Sequence, residues 1–120
     1  MTAATSGDHG VAVDPSILSD VVGDDPELNR MLLLKFIEPS AALLDIETIH
    51  EAVAARSAQG VVDNAHNLKS AARAIGANPL ADLCEALEKA GRAADWQRIE
   101  ELHPHLDGVF DDVKAFIENV

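Results

Sequence analysis

The sequence is short of most residues that hold a fold together from outside its core. It has one cysteine, Cys84, so neither an intrachain disulfide nor a thiolate metal cluster is available. Within "ADLCEAL" that cysteine reads as a small buried side chain rather than a reactive thiol. Aromatic residues make up 3% of the chain and tyrosine is absent, which leaves little material for strands. No apolar run approaches the length of a membrane-spanning helix. The opening "MTAATSGDHG" has neither the basic nor the apolar region of an export signal. No glycine-rich nucleotide loop is present. Cations are scarce as well: nine Lys and Arg stand against 21 Asp and Glu, for a net charge of −12. Nucleic-acid binding needs the opposite balance, and an anionic membrane surface would repel this chain. These absences predict a soluble, cytoplasmic protein with no nucleic-acid or membrane partner.

What remains is helical. The chain has 120 residues, 48% of them apolar, enough for one core built from closely packed alanine and leucine. Residues 1–13 are small, polar and aperiodic and read as a mobile tail, with residues 14–120 forming one helical bundle. Asp14 and Pro15 make a cap-plus-proline start for a short accessory helix that Gly23 stops. Asp25 and Pro26 repeat that start. Beyond them Leu28, Leu32, Phe36, Leu43, Ile46, Ile49 and Val53 fall on one stripe, which reads as a single long helix kinked at Pro39. A third helix runs from about Gly60 to Ile75, where Gly76 suits a left-handed C′ position. Asn78 and Pro79 start a fourth, carrying Leu80, Leu83, Cys84 and Leu87 inward and stopping near Gly91. Asp95 caps the last, whose stripe is Ile99, Leu102, Leu106, Val109, Val113, Phe116 and Val120, with a bend at Pro104 and Gly108. Trp96 covers the end of the core. Short connections make neighbours antiparallel. The expected fold is all-α: an antiparallel up-down-up-down four-helix bundle preceded by a short accessory helix.

One stretch of the third helix carries more than packing. In "AHNLKSAARAIGA" the inward face is Val61, Ala65, Leu68, Ala72 and Ile75, so His66, Ser70 and Arg73 point about 100° or more away from it. Lys69 lies nearer the edge of that face. Residues 66, 69, 70 and 73 are i, i+3, i+4 and i+7 neighbours on the surface. A solvated histidine accounts for this, and so does a nucleophile beside an anion cradle, because two of nine cations share this face.

The longer string "AHNLKSAARAIGANPLADLCEALE" resembles the histidine-containing phosphotransfer (HPt) domain family. Its pattern is close to H-x-L-K-G, a second glycine ten residues after the histidine, then L-x-x-L-C-x-x-L-E. His66, Leu68, Lys69, Gly76, Leu80, Leu83, Cys84, Leu87 and Glu88 fit in register, while Ser70 replaces the more usual glycine. The resemblance covers roughly residues 15–120 and is strongest over 61–92, and the family's fold is the four-helix architecture.

The resemblance implies a relay of phosphoryl groups between aspartates of receiver domains, here those of a hybrid histidine kinase and a response regulator. His66 would be the phosphoacceptor through Nε2. Glu88 would hold Nδ1–H, and Lys69 would face the phosphoryl oxygens, with Arg92 at a position where some members carry a second cation. Arg73 and Ser70 are supporting candidates from helical spacing. Val62 and Ser70, with Ile17, Leu18 and Val21 of the first helix, are the expected docking residues, although the last three equally suit a cap on the core. The chain would bind no cofactor of its own, Mg²⁺ belonging to the receiver, and would act as a monomeric intermediate without ATP-dependent kinase activity. Its initial Met and whole bundle favour a free-standing domain.

Three rival readings differ in class. A non-catalytic adaptor module with a silent histidine would ignore phosphodonors. A metal-binding bundle would use His103 and His105, but ligands two residues apart diverge on a helix and no Glu-x-x-His pairs face a common centre; no metal is expected. The dimerisation helices of a histidine kinase would follow the histidine with an acid and a proline, which Asn67-Leu68-Lys69 does not. His9 and His50 read as solvated.

Overall fold

The computed structural model describes residues 12–23, 25–37 and 41–119. Among them every regular element is helical: α1 (Pro15–Val22), α2 (Pro26–Ile37), α3 (Ala41–Ala54), α4 (Ala58–Ala74), α5 (Asn78–Arg92), α6 (Trp96–Leu102), a 3-10 turn (His103–His105) and α7 (Leu106–Glu118). The all-α class read from the sequence holds. The proposed join across Pro39 lies outside the described residues, and the chain is helical on both sides of it.

Local chemistry sets most boundaries. The Asp14 carboxylate accepts from the Ser16 backbone N–H at 3.0 Å and its hydroxyl at 2.7 Å, with Pro15 in the first turn of α1. Asp25 accepts from the Glu27 N–H at 3.0 Å, and Asp95 from the Arg98 N–H at 3.1 Å. Each satisfies an amide that the helix leaves without a partner. α4 starts at Ala58, earlier than its apolar period suggests, because Ser57 caps it by accepting from the Gly60 N–H at 3.1 Å. Asn78 is not the cap of α5; it is already helical, and Ala77 precedes it without a side-chain bond.

Two stripes needed correction. Leu28 and Leu43 are exposed, while Leu33, Ala42 and Ala52 are buried with Phe36, Ile46 and Ile49. The inward face of α3 is set by Ala42, Ile46 and Ile49, and Leu43 is one residue, about 100°, off that face. In the last segment a stripe that repeats strictly every seven residues slips by about 20° per heptad from the face of a straight helix, and the face through Ile99, Leu102 and Leu106 runs on through Phe110, Val113 and Ile117. Leu106, Phe110, Val113 and Ile117 are therefore buried in α7, with Val109 and Phe116 left half-buried at its edge. Val120 lies outside the described residues.

The core is assembled around α4 and α5, which share the most extensive contact; α3 packs on α4, and α7 packs on α5 and α2. Val61, Ala65, Leu68, Ala72 and Ile75 are all buried, as their spacing requires. Side-chain contacts from Arg73 to Glu85, His66 to Glu88 and Val62 to Gly91 show α4 and α5 running antiparallel. Gly91 is what lets the two helices close: a Cβ there would stand 2.8 Å from Val62 Cγ2. At the opposite end of α4, Gly76 takes φ +78°, and its carbonyl accepts from the Asp14 N–H at 2.8 Å. Val13, assigned to the mobile tail from sequence, is fully buried by this attachment. Half-buried Trp96 packs against the core with the Arg56 guanidinium 4.5 Å over its ring.

Candidate functional site

His66 follows Ala65, which faces the core, so its ring is turned outward, and the side chain is 55% exposed. Lys69, at the edge of the inward face, is 20% exposed. Opposite them on α5, Leu87 and Glu88 are both buried, and Glu88 is the one buried charged residue among those described. A buried carboxylate needs partners to offset the loss of water. Glu88 has three. Its Oε1 lies 2.8 Å from Lys69 Nζ, its Oε2 lies 3.2 Å from His66 Nδ1, and the Arg92 guanidinium from the next turn of α5 pairs with the same Oε2.

The electrostatic consequence follows from that geometry. Lys69, first by direct contact and then by its charge, holds the Glu88 carboxyl below the usual carboxylate range, helped by Arg92 and His66 and opposed by burial. Glu88 is therefore an anion at neutral pH and can only accept hydrogen bonds. The His66 nitrogen facing it, Nδ1, must carry the proton, which in a neutral ring leaves the lone pair on Nε2. Lys69 and Arg92 together outweigh Glu88 by one positive charge. Asp63 lines the groove beside His66 as well, so in a chain of net charge −12 the surroundings of the exposed imidazole are mixed in sign, with two cations against two carboxylates.

The other candidates divide. The Ser70 hydroxyl donates to the His66 carbonyl oxygen at 3.2 Å and is occupied with its own helix. Arg73 pairs with Glu85 at 3.1 Å and approaches Asp82 at 3.9 Å, away from Glu88. Val62 lines an open groove beside His66 with Ala58, Asp63, Gly91 and Arg92. Leu18 is buried in the core and Ile17 packs beside Gly76, at the other end of α4 from that groove. The side chain of Val21 lies outside the described residues. The sequence reading missed Gly91 as part of this site, taking it for a helix stop; its place one turn beyond Glu88 was the available signal.

Away from the site, His50 is not simply solvated. Its Nδ1 lies 2.5 Å from His103 Nε2 and its Nε2 lies 2.8 Å from Asp107 Oδ1, joining α3 to the 3-10 turn and α7. Burial, reinforced by His50 and opposed by Asp107, lowers the His103 pKa. No group of three or more His, Cys, Asp or Glu suited to a metal ion occurs among the described residues. Burial also pushes the Cys84 thiol up to about 12, which leaves it a packing residue. No helix among the described residues is long and apolar enough to cross a membrane.

The Hpt domain family model matches residues 32–116. The crystal structure of histidine-containing phosphotransfer protein B (HptB) from Pseudomonas aeruginosa PAO1 aligns with a TM-score of 0.79 at 24% identity, covering 90% of this chain and 92% of that one. At that identity the structural likeness speaks for the fold. No curated protein is a close match to the sequence.

Proposed function

The chain belongs to the Hpt domain family, whose work is histidine phosphotransfer in two-component phosphorelays, and we propose that it performs this work through Nε2 of His66. The observation that carries the assignment is the contact between His66 Nδ1 and a buried, ionised Glu88 at 3.2 Å. It supports one tautomer, with the nucleophilic nitrogen on the exposed side of the ring.

In the forward step, the Nε2 lone pair attacks the phosphorus of a receiver's aspartyl phosphate. An N–P bond forms, the P–O bond breaks, and the receiver carboxylate leaves with the electron pair. The ring gains positive charge as it is phosphorylated, and the Glu88 carboxylate at Nδ1–H stabilises it, as the orienting acid does in a catalytic triad. Lys69 and Arg92 are the cations available to the phosphoryl oxygens. Positioning and charge supply the catalysis. Return of the group to a second receiver reverses the same steps. The receivers of a hybrid histidine kinase and a response regulator are the partners of this reading, with Mg²⁺ held by the receiver and no cofactor on this chain. A monomer that docks through a small, transient interface in the cytoplasm suits such a relay. Val62 and the groove beside His66 are the docking candidates, and no observation favours the adaptor reading.

The test is incubation with phosphorylated receiver domains. An acid-labile, alkali-stable label should appear on the protein and vanish in His66→Gln. Label persisting in His66→Gln would refute the assignment.

A further inference from the structure

The three contacts on Glu88 are more than orientation of the imidazole requires. Holding a proton on Nδ1 needs one acceptor oxygen, which an amide carbonyl supplies as well as a carboxylate does. Glu88 instead carries a full charge, and both cations beside His66 are committed to it: Lys69 on Oε1, Arg92 on Oε2. Arg92 shares Oε2 with the His66 N–H. A phosphoryl group on Nε2 therefore arrives at a site whose cations already have a counter-ion. Arg92 is 61% exposed, while Glu88 is 2% exposed.

We propose that Glu88 is a positioning residue that sets how firmly the site retains a phosphoryl group, by competing with it for Lys69 and Arg92. The inference rests on the assignment of His66 above. Asp63, which lines the same groove, is the same in every variant, so replacing the ionised Glu88 by an amide raises the positive charge offered to the incoming dianion by one unit. The carboxylate draws both cations away from the phosphoryl oxygens while it supports the charged ring, so its two effects on the phosphorylated form oppose each other. That suits a carrier that must unload as readily as it loads, because each added opposite charge in a half-buried site favours the charged form of its neighbour.

The experiment loads the full chain with phosphoramidate, a small donor that needs no receiver, and follows the ³¹P shift of the phosphohistidine against pH. Glu88→Gln should move the second ionisation of the phosphoryl group down by about one pH unit, and Arg92→Gln should move it up by a similar amount. The double variant, which restores the wild-type charge, should return close to wild type. An unchanged or upward ³¹P titration in Glu88→Gln, or a double variant that behaves like Glu88→Gln alone, would overturn the proposal. Should Glu88→Gln not fold, Arg92→Gln tests it alone, and no upward shift there overturns it. Label that His66→Gln does not remove would instead bring down the assignment of the phosphoacceptor, and this inference with it.

Discussion

Replacing Gly76 with alanine should detach the N-terminal helix while sparing the histidine site. Gly76 sits at φ +78°, where an L side chain costs about 1–2 kcal/mol. A Cβ there would also stand 2.3 Å from the Asp14 carbonyl oxygen and 3.1 Å from Ile17 Cβ and Cγ1. The Asp14 backbone cannot stay that close. Its withdrawal breaks the Asp14 N–H to Gly76 carbonyl bond, worth about 1 kcal/mol, and loosens buried Val13 and Leu18. The sum is about 3 kcal/mol, which for a domain of this size lowers Tm by roughly 10–15 °C. Circular-dichroism melting measures it, and amide NMR should show residues 12–22 released while the His66 signals keep their positions. Gly76→Asn separates the two causes, because asparagine tolerates a left-handed backbone but brings the same Cβ. It should still cost about 2 kcal/mol. A Gly76→Asn variant as stable as wild type would refute the claim that close approach, rather than backbone conformation, demands glycine here.

Acid should destabilise the protein in two stages. His103 is depressed below 6.5 in the fold, so its contribution is complete above that value and is lost as pH falls through its folded pKa. Glu88 is depressed below 4.5, so its contribution is lost only at lower pH. Urea midpoints at pH 7.5, 5.5 and 4 should fall in that order, with His103→Gln flattening the first step; a midpoint that rises between pH 7.5 and 5.5 contradicts this. Gly91→Ala sets a helix-propensity gain of about 1 kcal/mol against about 1–3 kcal/mol of overpacking on Val62, whose Cγ2 would be 2.8 Å away. A net loss of up to about 2 kcal/mol is expected, recovered in part by Val62→Ala in a double-mutant cycle, and purely additive effects would exclude the steric cause.

Burial of Glu88 is the feature on which site and fold depend together. The register "LCEALE" puts Glu88 beside Leu87 on the buried side of α5, and it can remain there only because α4 delivers Lys69 and His66 to the same depth. Gly91 makes that depth possible by removing the side chain that would hold the helices apart. The sequence pattern singled out His66, Lys69, Glu88 and Arg92, and the structure gathers all four. Arg73, chosen by spacing on α4 alone, goes to Glu85 and Asp82 instead. Spacing along one helix places a residue on a face but says nothing of which acids the neighbouring helix presents.

Local rules decided what is local. Asp14 with Pro15, Asp25 with Pro26, and Asp95 announce helix starts because a cap bond involves residues two or three apart. The buried face of α4 and the outward turn of His66 follow from a period of 3.6 residues and need no partner. Ser57 obeys the same rule within a stretch, 56–60, that carries no apolar period to mark a helix start. Tertiary packing decided the rest. Leu43 fell outside the core, and His50 met His103 across 53 positions of sequence. Such pairings depend on how far apart two helices stand and how each is rotated about its axis. Those quantities are set by all the side chains between the helices at once, so no single stretch of the chain encodes them.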